Sequence, residues 1–177
     1  MCIRERPYAS VVSRETVRIA LTLAALNDLE VKASDIQNAY LTAPVTERIW
    51  IVCGPEFGPE HNGRKALVVR ALYGLKSAGA AFRNHLADCM RTMGFKPCLA
   101  DPDLWYKAET RPSSDGFEYY SYMLIYVDDC LCIHHAGESV LHELDKYFKM
   151  KDGSIGDPDM YLGTKLKKTV LPNGVVA

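Results

Sequence analysis

Apolar positions along the chain follow a helical spacing in three stretches and a strand alternation in several others. In residues 14–27, Val17, Ala20, Leu21 and Ala24 share one face, and Ile19, Leu23 and Leu26 widen it. This predicts a largely buried helix with Ser13 as its N-cap. In residues 77–93, Phe82, Leu86, Cys89, Met90 and Met93 recur at helical spacing, and Gly94 ends the run. A third helix, 138–148, turns Val140, Leu141, Leu144, Tyr147 and Phe148 inward. Short apolar runs at 31–35, 48–52, 66–71, 103–107 and 161–167 predict strands. Residues 37–42 form a turn or short helix that Pro44 stops, and 54–63 form a loop rich in glycine and proline. The apolar run 119–127 meets Asp128 and Asp129, and a second run, Cys130-Leu-Cys-Ile133, follows at once. That sequence reads as strand, acidic turn, strand. Helices interspersed with strands and a hairpin predict an α+β fold, an antiparallel sheet backed by helices.

The 177 residues suffice for one domain with a real core. No run of about 18 apolar residues is present, so no membrane span is expected. The first residues lack the apolar core of a signal peptide, which makes an intracellular setting the expectation. None of the six cysteines forms a C-x-x-C pair, so they read as reduced thiols rather than a zinc site. A net charge of -1 is low for a nucleic-acid enzyme, but the charge is uneven. Residues 64–107 hold eight basic side chains against three acidic ones. They form either solvated helix surface or a track for a phosphate backbone.

Two charges at the tip of a buried hairpin are costly unless a cation offsets them. Asp35 closes another short strand, and no helical pattern follows that would make it an N-cap. Three carboxylates on neighbouring strand ends suit a pair of divalent ions. A polar hairpin turn is the alternative reading of Asp128-Asp129. The histidines His134 and His135 read as polar surface at a strand end rather than as further ligands.

Longer phrases extend the argument. Tyr126-Val-Asp-Asp129 resembles the Y-x-D-D hairpin of reverse transcriptases, and Ser34-Asp-Ile-Gln-Asn-Ala-Tyr-Leu41 resembles their first catalytic strand. Ala71-Leu-Tyr-Gly-Leu-Lys-Ser77 is similar to the A-L-Y-G-L-K-Q phrase of copia-type LTR-retrotransposon polyproteins. Tyr8-Ala-Ser-Val-Val12, Asp101-Pro-Asp-Leu-Trp-Tyr106, Tyr147-Phe-Lys-Met-Lys-Asp152 and Tyr161-Leu-Gly163 match further family phrases in the family's order. The resemblance covers nearly the whole chain, 1–177, as a reverse transcriptase domain.

This resemblance implies a palm with part of the fingers, and RNA-directed DNA synthesis. It implies that Asp35, Asp128 and Asp129, with the backbone carbonyl of Ile36, hold two Mg2+ ions (Mn2+ as a substitute) that activate a primer 3′-hydroxyl and neutralise pyrophosphate. Tyr40 would block a ribose 2′-hydroxyl. Gly74 and Lys76 would meet the nucleotide, although Lys76 equally suits a solvent-facing helix start. Tyr126, Tyr161, Leu162 and Gly163 would contact primer and template, the last three resembling the hairpin that grips the primer end and suiting an ordinary strand with a glycine nearly as well. Implied partners are an RNA or DNA template with primer, deoxynucleoside triphosphates, and the polyprotein's remaining fingers, thumb and ribonuclease H. The implied setting is the cytoplasm, a virus-like particle or the nucleus. Ser77, Gly79, Ala80 and Phe82 replace the Gln, Pro, Arg and Trp of the family phrase, which removes two candidate contacts. An inactive remnant that binds only metal or nucleic acid is the competing expectation.

Overall fold

The computed structural model describes residues 10–45, 47–112, 116–170, 172 and 174. Tyr8 of the matched phrases lies outside them. In chain order the elements are α1 (Arg14–Leu26), β1 (Glu30–Asp35), α2 (Ala39–Thr42), β2 (Trp50–Val52), a 3-10 turn (Pro55–Phe57), β3 (Lys65–Leu67) and α3 (Ala78–Thr92). There follow β4 (Lys96–Pro97), β5 (Leu104–Thr110), β6 (Glu118–Tyr126), β7 (Asp129–His134), α4 (Gly137–Asp145), β8 (Met160–Tyr161) and β9 (Thr164–Lys165). The described residues fall into two compact units, one of 38–86 and one of 10–37 with 87 onward.

The second unit is built on a five-stranded antiparallel sheet in the order β1-β7-β6-β5-β4. Its interior strand β7, between β1 and β6, is buried from Cys130 to His134, which covers both of its faces. Register partners share a face, so Val31, Ala33, Leu104, Tyr122, Leu124, Leu131 and Ile133 stand together. They join Val17, Ala20, Leu21 and Ala24 of α1 in one apolar cluster. The opposite face carries Cys130 and Cys132, both without solvent exposure, and burial raises both thiols far above the ordinary range. On α4, Gly137 lies so close to β1 that an added Cβ would stand 2.9 Å from the Lys32 side chain.

The start of α1 is fixed twice. Ser13 Oγ accepts from the Thr16 N–H at 3.1 Å, as the sequence predicts for an N-cap. Asp101 then accepts from the Ser13 N–H at 2.9 Å and from the Thr16 hydroxyl at 2.6 Å. Burial opposes the Asp101 charge, but these hydrogen bonds outweigh it and hold the carboxyl below its usual range. Helix α3 ends as Gly94 implies: Gly94 is left-handed (φ +86°), and the Phe95 N–H reaches back to the Met90 carbonyl at 2.9 Å.

Four expectations change. The strand expected at 161–167 is a tight hairpin of β8 and β9, because Leu162 and Gly163 both take positive φ and reverse the chain. Helix α4 ends at Asp145, whose carboxylate accepts from the Met150 N–H at 2.7 Å. Phe148 stays buried beyond that end, but Tyr147 is half exposed rather than inward. His134 is buried, not surface, because β7 carries the Cys130 face one residue pair further before α4 covers it.

In the unit of 38–86, β2 and β3 pair as a hairpin. The intervening loop is closed by Cys53 N–H to Arg64 O at 2.9 Å and Gly63 N–H to Cys53 O at 2.8 Å. Ala43 and Ala71 are fully buried, and the Ala71 N–H donates to the Ala43 carbonyl at 3.0 Å.

Candidate active site

Pairing of β1 with β7 sets Asp35 opposite Asp129, and pairing of β7 with β6 sets Asp129 opposite Tyr126. The row Asp35, Asp129, Tyr126 therefore crosses three strands on one face. Val127 and Asp128 form the two-residue connection of the hairpin. Val127 takes φ +57° while Asp128 stays outside the left-handed region, the pattern of a type II′ turn. That first position favours glycine, so a β-branched residue there carries backbone strain at the tip that presents Asp128.

The end of β1 is held from both sides. The Ile36 N–H donates to the Asp128 carbonyl at 2.9 Å, tying the strand end to the acidic turn. The stretch from Lys149 to Gly156 covers the outer edge. Lys151 N–H donates to Asp35 O at 2.9 Å, Gln37 N–H to Lys149 O at 2.9 Å, and Ala33 exchanges two bonds with Gly156. The Asp35 N–H also donates to Ser154 Oγ at 3.2 Å. This is the structural role of the Lys149–Asp152 portion of the matched phrase, a role that its composition did not disclose.

Electrostatically the carboxylates crowd one another, and Lys151 offsets them only in part. Burial raises the Asp129 carboxyl above its ordinary value, and the neighbouring charges of Asp128 and Asp35 raise it further. Lys151 acts the other way; its Nζ stands 3.9 Å from Asp35 Oδ2. Three partly exposed carboxylates that repel one another form an all-oxygen donor set, the chemistry a hard divalent cation takes. Among the described residues, no three acid, histidine or cysteine side chains converge closely enough to enclose an ion as they stand.

A cavity of about 570 Å³ opens beside this row. It is lined by Val11, Val12, Arg14, Tyr126, Asp129, Met160, Tyr161, Leu162 and Gly163. Tyr161 is buried, and its hydroxyl donates to the Leu124 carbonyl at 3.2 Å, which anchors the β8–β9 hairpin to the sheet. Leu162 (φ +50°) and Gly163 (φ +73°) make its turn type I′. The structure thus brings Asp35, Ile36, Asp128, Asp129, Tyr126, Tyr161, Leu162 and Gly163 into one unit. Arg14 and Met160, which also line the cavity, were not singled out by their sequence, and Val11 and Val12 only as part of the matched phrase that ends at Val12.

Tyr40, Gly74 and Lys76 belong to the 38–86 unit. There the Tyr40 ring packs on Tyr73 with centroids 4.7 Å apart and on Phe82 at 6.1 Å. Asn38 takes φ +52° immediately before α2 and turns the chain into it. Gly74 takes φ +97° with open space where a side chain would stand, so backbone conformation requires the glycine there.

Residues 5–172 match the family described as reverse transcriptase (RNA-dependent DNA polymerase). The chain is 32% identical over 165 residues to a retrovirus-related Pol polyprotein from transposon TNT 1-94 of Nicotiana tabacum. That match covers 90% of this chain and 12% of the relative. The Pol polyprotein from transposon RE2 of Arabidopsis thaliana is 27% identical, with 95% of this chain and 11% of the relative covered. A putative transposon Ty5-1 protein of Saccharomyces cerevisiae is 28% identical, with 76% and 42% covered. The chain belongs to the reverse transcriptase (RNA-dependent DNA polymerase) family, as a copia-type retrotransposon fragment.

Proposed function

We propose that this chain carries the nucleotidyl-transfer site of an RNA-directed DNA polymerase. The observation that carries the reading is the placement of Asp35 opposite Asp129, with Asp128 on the adjoining turn. The five-stranded sheet is the palm, and the 38–86 unit is part of the fingers. Asp35, Asp128 and Asp129 would hold two Mg2+ or Mn2+ ions, with the Ile36 carbonyl as a further oxygen ligand. Bound there, such ions supply acidity to a primer 3′-hydroxyl and charge for the leaving pyrophosphate.

The chain's own residues do the positioning. Tyr126, Tyr161, Leu162 and Gly163 wall the cavity beside Asp129, where a primer end would sit. The strained Val127 fixes the turn that aims Asp128. Tyr40, held against Tyr73, excludes a 2′-hydroxyl from the incoming sugar. Gly74 and Lys76 attend the triphosphate. Partners are a primed RNA or DNA template, deoxynucleoside triphosphates and the remaining segments of the polyprotein. The setting is intracellular: cytoplasm, virus-like particle or nucleus.

The competing reading is a remnant that folds and binds nucleic acid or metal without synthesis; the unconverged carboxylates favour it. Primer extension on an RNA template with Mg2+ and deoxynucleotides, beside Asp128→Asn, decides between them. Extension by the native chain alone supports the assignment. Extension by both proteins overturns the triad, and extension by neither from folded protein favours the remnant.

A further inference from the structure

The 38–86 unit carries a surface that the proposed chemistry does not use. In the β2–β3 hairpin Trp50 pairs with Leu67 and Val52 with Lys65. Alternation puts these four side chains on one face, while Ile51 and Ala66 turn to the other and are partly buried. The face is open to solvent: Trp50 is 60% exposed, Val52 66% and Leu67 44%. An antiparallel hairpin with one solvated face ordinarily shows polar side chains there. Here the only charge among the four is the Lys65 ammonium. A shallow depression of about 520 Å³ lies at this place, lined by Trp50, Ile51, Val52 and Lys65.

Charge indicates what would cover it. Positions 38–86 hold six basic and three acidic side chains, whereas the other unit holds thirteen basic and eighteen acidic ones. An exposed aromatic plate, aliphatic neighbours, an adjacent ammonium and a local excess of positive charge are what a sequence-tolerant site for unpaired bases combines. An apolar protein partner would need the first two of these features and gain nothing from the last.

We propose that the Trp50–Lys65 depression is a docking site for unpaired nucleotides of a single-stranded nucleic acid. One base stacks on the Trp50 indole, and a neighbouring phosphate meets Lys65. The proposal rests on reading the chain as part of a nucleic-acid polymerase, and it adds a binding surface away from the carboxylates.

The chain has two tryptophans, and Trp105 is buried, so quenching of intrinsic fluorescence by an added oligonucleotide reports on Trp50. The experiment titrates oligothymidylate into the full chain in a chelator, with fluorescence anisotropy of a labelled oligonucleotide as a second readout. Saturable quenching that weakens with salt is expected. Trp50→Ala should lose about tenfold or more in affinity. Trp50→Phe, which keeps an aromatic plane, should retain most of it and control for misfolding. Lys65→Ala should weaken binding several-fold. Absent quenching, or unchanged affinity in both Trp50→Ala and Lys65→Ala, overturns the site. Self-association that Trp50→Ala abolishes, without oligonucleotide binding, overturns it in favour of a protein interface. No metal or synthesis enters the assay. Failed binding with intact primer extension therefore rejects the docking site alone, and intact binding with failed extension rejects the polymerase reading alone.

Discussion

Asp35 and Asp129 stand directly opposite each other in the antiparallel pairing of β1 with β7. Like charges in that relationship destabilise a sheet by about 0.2–1 kcal/mol. Replacing one by its amide should therefore stabilise the fold while removing a ligand. Asp129→Asn is expected to raise Tm by about 1–4 °C and to abolish primer extension. Mg2+ should raise the Tm of the native chain and not that of the variant. Thermal melts with and without Mg2+ check the Tm shifts and a primer-extension assay the loss of synthesis, and a lowered Tm in Asp129→Asn would count against mutual repulsion of the pair.

The same crowding predicts a pH effect. Asp129 gains its proton above the ordinary carboxylate range, through burial and then the charges of Asp128 and Asp35. A protonated carboxyl is a poor ligand, so extension should fail on acidification at a pH above about 4, the value for a free aspartate. Raising Mg2+ should move that limb to lower pH, because the cation competes with the proton. Rates across pH at several Mg2+ concentrations read the shift.

His134 should add a second, structural pH dependence. Burial, then the neighbouring His135, lowers its affinity for a proton. Its Nδ1 accepts the Ala136 N–H at 2.9 Å, and its Nε2 lies 4.0 Å from the Glu109 carboxylate. Lys107 Nζ stands 2.9 Å from the same carboxylate, and the Tyr119 hydroxyl bonds His135. The unfolded chain binds the proton more tightly, so this contribution is complete above about pH 6.5 and is lost as pH falls below it. His134→Asn should flatten the dependence of Tm on pH in that window.

The β8–β9 turn separates grip from stability. Leu162 occupies a left-handed position before Gly163, where Asn-Gly is the preferred pair. Leu162→Asn should keep the hairpin and hold stability within about 1 kcal/mol of native. It also removes an apolar wall of the cavity beside Asp129. The expected result is a raised KM for primer with little change in kcat; a loss confined to kcat would contradict a role in holding the primer.

Tyr40→Ala should admit ribonucleotides. With the ring gone from its packing against Tyr73, discrimination between deoxy and ribo substrates is expected to fall by about tenfold or more. Competition assays with paired nucleotides measure this.

The helices α1 and α3 were legible because period and caps agreed in each, and the acidic hairpin because two apolar runs flank its pair of aspartates, although Val127 gives no sign of the turn. Ser13 and Gly94 mark helix ends by chemistry that acts locally, and both do so here. Local pattern alone predicts a strand at the β8–β9 hairpin, since a leucine gives no sign of positive φ; the hairpin was legible only through the resemblance of Tyr161-Leu-Gly163 to a family hairpin. The buried state of His134 depends on where α4 lands, which no local pattern encodes. Nor did the sequence show that Lys149–Gly156 seals the β1 edge, because its bonds are backbone bonds. For the site, three acids and a tyrosine could be named in advance. Their alignment in one row depends on the registers of β1 with β7 and of β7 with β6.

The buried thiols of β7 give the chain a clock. Cys130 follows Asp129 directly, and neither Cys130 nor Cys132 has solvent exposure or an accessible thiolate. An alkylating reagent can reach them only when the strand that bears the acids comes away from its neighbours. The partly exposed Cys98 would react first among these and set the zero of time. The delay before Cys130 and Cys132 themselves are modified, told apart from Cys53 and Cys89 by peptide mapping, measures how often the sheet opens. A bound cation or primed template that joins β1 to the acidic turn should lengthen that delay, so its arrival at the site could be timed without any synthesis taking place.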